Sequence, residues 1–151
     1  MGILIEDLLN FGNLIDAELE IKLSPEELER AYEGLEFRLE EGFISVLYKK
    51  KGLLFSKRQE VRLSEGSRVK KDRDGGRQLI FFKVLSRKGI EELLQRDGFV
   101  LEGEELGLDV MPAVVLTETY ARIPKQFRDK LLISRYKIGR TSLSVFFRFE
   151  K

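Results

Sequence analysis

The chain has 151 residues, 27 basic and 26 acidic side chains, a formal charge of +1, and neither cysteine nor histidine. Disulfides, thiol nucleophiles, histidine general bases, histidine-ligated metals and the usual catalytic triads are therefore excluded. Hydrophobic residues at 42% and charged residues at 35% describe a globular balance, and the near-neutral sum offers no broad electrostatic footprint for nucleic acid.

At the N-terminus, ILIEDLLN over residues 3–10 places apolar side chains at helical spacing before Phe11-Gly12-Asn13, which predicts a short amphipathic helix. The acids in MGILIEDLLNFG do not fit the basic start of a signal peptide, and no run approaches about 18 apolar residues. The expectation is a cytoplasmic protein without membrane insertion. AELEIKL at 17–23 alternates and reads as a strand, carrying Glu18, Glu20 and Lys22 on one face. Ser24-Pro25-Glu26-Glu27 is a helix start, with Ser24 as N-cap, Pro25 in the first turn and Glu27 reaching back to the cap amide. LEFRLEEGFISVLYKK then gives two alternating runs around Glu41-Gly42, a hairpin, followed by a basic turn at Lys49-Lys50-Lys51-Gly52.

The segment from Lys57 to Gly89 carries the chemistry. It opens with Arg58 and Arg62 in KRQEVR and passes through a hairpin signal at Asp74-Gly75-Gly76. It ends with Ser86 and Gly89 in S-x-x-G spacing after the apolar run LIFFKVL. Beyond it, KGIEELLQRDG predicts one or two helical turns near 88–96 with Ile90, Leu93 and Leu94 facing inward. Strands are expected at about 99–102, 104–110, 114–123, 131–137 and 141–149, the last with Leu143, Val145, Phe147 and Phe149 on one face. So many alternating runs argue for a mainly β, closed or nearly closed antiparallel barrel.

Arg58-Gln59-Glu60-Val61-Arg62 followed by Val84-Leu85-Ser86-Arg87-Lys88-Gly89 resembles the PilZ domain, whose two motifs are R-x-x-x-R and [D/N]-x-S-x-x-G. The second motif is matched at Ser86 and Gly89 and departs at Val84, where the family has an acid or amide. The resemblance covers roughly Lys57 to the C-terminus. It implies a β-barrel domain over 57–151 and leaves residues 1–56 unexplained; these read as an N-terminal extension of helices and strands, or a small subdomain. It also implies cyclic di-GMP as ligand, no catalysis, and a protein partner in motility, pilus or exopolysaccharide machinery. Arg58 and Arg62 would clamp phosphate and guanine as a flexible latch, because a guanidinium fork pairs bidentately with either and stacks on a base. Ser86 and Gly89 would form the polar turn beneath. Valine accepts no hydrogen bond, so a guanine edge buried against Val84 would lose about 1–3 kcal/mol.

Two other readings stand beside this one. In the first, the chain is a PilZ-like protein-interaction module that does not bind nucleotide and docks through an exposed apolar patch. In the second, Glu18, Glu20 and Lys22 follow the E-x-E-x-K pattern of triphosphate-tunnel phosphohydrolases, which use acids to hold a divalent metal and lysine to hold phosphate.

Overall fold

Alternation of apolar and charged side chains builds most of this chain, as a computed structural model of residues 18–51, 56–72 and 76–150 describes it. In order, the elements are β1 (Leu19–Leu23), α1 (Pro25–Ala31), β2 (Leu35–Glu40), β3 (Phe43–Lys51), β4 (Ser56–Ser64), β5 (Val69–Lys71), β6 (Gln78–Val84), α2 (Ile90–Leu94), β7 (Phe99–Glu102) and β8 (Glu105–Asp109). The helical turns α3 (Met111–Val114), α4 (Glu118–Ala121) and α5 (Lys125–Arg128) follow, then β9 (Leu131–Ile138) and β10 (Leu143–Phe149). The helix expected over 3–10 and most of the Asp74-Gly75 turn lie outside the described residues. Among those residues, no helix is long and apolar enough to cross a membrane.

The strands pair antiparallel in two sheets. One is β1-β10-β9; the other is β2-β3-β4-β6-β8-β7 with β5 also on β6. The expected barrel is corrected here: among the described residues neither sheet closes on itself or on the other through a backbone ladder. They are joined by a backbone bond, from the Gly42 amide to the Ile138 carbonyl at 3.0 Å, and by side chains. Gln78, only 3% exposed, donates from Nε2 to the Leu131 carbonyl at 2.7 Å and accepts from the Ile133 amide at 3.1 Å. Tyr136 donates to the Phe81 carbonyl and accepts from the Gly66 amide, both at 2.6 Å. Two buried polar groups thus satisfy backbone atoms that a closed ladder would have paired.

The inward faces of both sheets share one core with α1, α2 and α3. Because β3 pairs with β4 from Phe43↔Ser64 to Lys51↔Ser56, and β1 pairs with β10, the described elements before 56 (β1, α1, β2 and β3) contribute side chains to that same core. The capping box at Ser24 and Glu27 forms as the sequence predicts, and Gly42 turns the β2–β3 hairpin at φ +80°. Along β10, Leu143, Val145 and Phe147 are wholly buried and Phe149 nearly so.

Two segments depart from expectation. Lys49–Lys51 continue β3 and do not form a turn. The strand expected at 114–123 is instead the pair of turns α3 and α4. Asp109 accepts from the Met111 amide at 3.2 Å, Pro112 occupies the first turn, and Thr117 accepts from the Tyr120 amide while donating to the Val114 carbonyl. These local bonds offer the backbone an alternative to a ladder.

Candidate functional site

On β4 the odd residues Val61 and Leu63 point into the core, and the even residues Arg58, Glu60 and Arg62 stay exposed on the outward face. Cross-strand register places Lys49 beside Arg58, Leu47 beside Glu60 and Ser45 beside Arg62, while β2 adds Glu36 next to Leu47 and Arg38 next to Ser45. Arg58 forms an ion pair with Glu36, and Arg62 approaches Glu60 at 4.0 Å. The flexible latch expected at R-x-x-x-R is corrected to the interior of a paired strand, so the spacing of the two guanidiniums is set by the ladder.

The second motif begins where that ladder ends. Leu63 pairs with Val84, and the Leu85 amide donates to the Arg62 carbonyl at 3.0 Å, so the two motifs adjoin along the backbone. Val84 packs against the core, which accounts for an apolar residue at this position. Ser86 is half-buried, and Gly89 leads into α2 at φ +86°. The Gly89 carbonyl accepts from the Tyr48 hydroxyl at 2.5 Å, and a Cβ on Gly89 would stand 2.6 Å from that oxygen. Only glycine fits such a contact at positive φ. Tyr48 also donates to Glu92 at 3.2 Å; burial first, then the Glu92 carboxylate, pushes its pKa up to about 12.

Tyr48 and Val61 belong to the inward face, so the structure seats Gly89 on the core side of β4 and sends Arg58 and Arg62 to the outward side. The four motif residues are neighbours in the backbone without converging on one cavity. A groove of about 540 Å³ does open beside Arg58, with Glu36, Leu47, Lys49 and Arg96 on its walls. Arg96 is a residue that motif spacing did not single out. Its guanidinium donates to the Glu33 carbonyl at 2.5 Å, and its two terminal nitrogens lie 3.3 Å from where a Cβ of Gly34 would sit. On the other side of Arg96 lies a smaller groove of about 420 Å³, walled by Tyr32, Leu35, Asp97 and Phe99.

The first acid of the E-x-E-x-K pattern is held by β9. Glu18 accepts from Arg135 at 2.8 Å and from Ser134 at 2.9 Å, and the Arg135 hydrogen bond holds its carboxyl below the ordinary range against the opposing effect of burial. Among the described residues, no three acids gather where they could hold a metal ion. A further polar network covers the outward face of the other half of the large sheet. Arg68 stacks 3.7 Å over the Phe81 ring and binds Glu102 and Glu105, and Phe81 lies against Gly107 on β8. Compared with protein-family models, with curated proteins and with solved structures, the chain matches none.

Proposed function

We propose that this chain is a binding module without catalytic activity. Its outward β2–β3–β4 face takes a phosphate-bearing ligand, with cyclic di-GMP the first candidate, and it signals through a changed protein contact in the manner of a PilZ domain. The observation that carries this reading is the placement of Arg58, Arg62 and Lys49 on one exposed strand face beside a groove. Two guanidiniums four residues apart on one face of a paired strand, with Glu60 between them, are pre-spaced donors for two phosphates or for a phosphate and a guanine edge. The carboxylates beside them are weak competitors, since an exposed ion pair contributes only about 0–1 kcal/mol.

A second reading keeps the module and removes the nucleotide. Val84 in the core supports it, as do Phe43 and Leu85, 43% and 53% exposed on the same outward face around Arg62. In that case a protein partner would cover the apolar pair and use the arginines as rim contacts.

Calorimetric titration with cyclic di-GMP, with Arg62→Ala as control and the linear dinucleotide as competitor, separates the two. Micromolar binding lost in the variant is the result expected of a receptor. No heat at millimolar ligand from a folded protein rejects it in favour of a protein-binding module.

A further inference from the structure

The groove beside Arg58 carries more positive charge than its neighbours neutralise. Among the described residues neither Lys49 nor Arg96 has a carboxylate within ion-pair distance, and Glu36 is engaged by Arg58. Some arginines elsewhere are matched, Arg68 with Glu102 and Glu105, Arg77 with Asp72 and Arg135 with Glu18, so what sets this groove apart is that an unpaired arginine and an unpaired lysine line it together. Arg96 is also held in place. The Glu33 carbonyl takes one of its five N–H donors, and the bare Gly34 backbone lets the guanidinium lie against the α1–β2 turn. Leu47, 4% exposed, lends the groove an apolar wall beside these charges.

From this we infer that Arg96, Lys49 and Arg58 form a phosphate site, an anchor for one phosphate of the ligand that neither motif contains. The inference rests on the reading above, that this face binds phosphate. Arg96 supplies a fixed planar fork, Lys49 a mobile ammonium, and Arg58 a second fork released from Glu36 when phosphate displaces the carboxylate. Glu36 is the built-in competitor, and its removal strengthens binding.

The full chain is titrated with inorganic pyrophosphate and, separately, with cyclic di-GMP, while backbone amide resonances are followed. Pyrophosphate is expected to shift the amides of Gly34, Leu47 and Lys49 saturably. Lys49→Ala weakens it about tenfold with an unchanged melting temperature, because the lost side chain is exposed. Arg96→Gln weakens it at least as much, and Glu36→Gln strengthens it. Shifts centred elsewhere, no saturation, or unchanged affinity in Lys49→Ala overturns the site. Cyclic di-GMP binding that Arg62→Ala abolishes and Lys49→Ala leaves intact also overturns it while the proposed function stands. Pyrophosphate saturation without dinucleotide binding keeps the site and rejects cyclic di-GMP as its ligand.

Discussion

Tyr48 is the side chain on which the hairpin, the S-x-x-G turn and the core meet. Its hydroxyl is the donor to the Gly89 carbonyl, and burial with Glu92 raises its pKa from an ordinary 10 to about 12. Burial raises Tyr32 and Tyr136 as well. The folded protein thus keeps protons that the unfolded chain releases above about pH 10. The stability linked to Tyr48 is complete below that pH and disappears as pH rises through its folded value near 12, while that linked to Tyr32 and Tyr136, raised further, is lost over a window that extends higher. Tyr48→Phe is expected to cost about 1–3 kcal/mol at neutral pH, because a buried carbonyl loses its donor. It should also flatten the decline between pH 10 and 12 without abolishing it, since Tyr32 and Tyr136 remain. Urea denaturation of both proteins across that range checks it, and an unchanged slope would assign the alkaline loss to the other tyrosines. At this scale sequence spacing found a glycine that the backbone requires at 89. It could not show that the requirement comes from Tyr48, 41 residues earlier. Nor did any spacing connect Arg96 with Gly34, because a guanidinium lying on a distant turn leaves no periodic trace.

Elements were legible wherever one face alternates against one core. β10 keeps Leu143, Val145, Phe147 and Phe149 inward as the sequence alternation predicts, whereas β9 changes its inward set from Leu131 and Ile133 to Tyr136 and Ile138 across a register shift; the Ser24–Glu27 box is a local pattern that forms as written. Ala113-Val114-Val115-Leu116 is the counter-case. A short apolar run has no period of its own and suits either strand or helix. Its fate is decided outside it, by the Asp109 carboxylate, Pro112 and Thr117, which bury Ala113 and Val114 and leave Val115 and Leu116 exposed. Thr117 is the hinge between α3 and α4, at 4% exposure, accepting from one turn and donating to the other. Thr117→Ala is therefore expected to cost about 1–2 kcal/mol, with faster amide exchange at Tyr120 and Ala121. Thr117→Ser, which keeps the hydroxyl, should recover most of it. If serine and alanine are equally destabilising, the lost methyl packing and not the cap is responsible.

The whole molecule is where sequence reading was weakest, because strand order is a non-local property. β1 finds its partner at β10 across the length of the chain, and β3 and β4 pair across the boundary near 56 where the motif resemblance starts. The two sheets then enclose one cluster in which Leu19, Ile21, Leu28, Phe37 and Val46 touch the same core as Val61, Phe82 and Phe147. Each such burial contributes about 1.5–3 kcal/mol, against a net stability of about 5–15 kcal/mol for a domain. A chain cut to 57–151 would expose the inward faces of β4 and β10 along the ladders they lose, and the summed loss exceeds the net. The fragment is expected to give collapsed or unfolded amide spectra with no cooperative thermal transition, where the full chain melts once. Mixing it with a separate 1–56 peptide should restore dispersion if the only defect is the missing strands. A fragment that folds alone with native shifts at Val61 and Phe147 would instead mean that the first three strands add to a core already complete, and that the division at 56 is real.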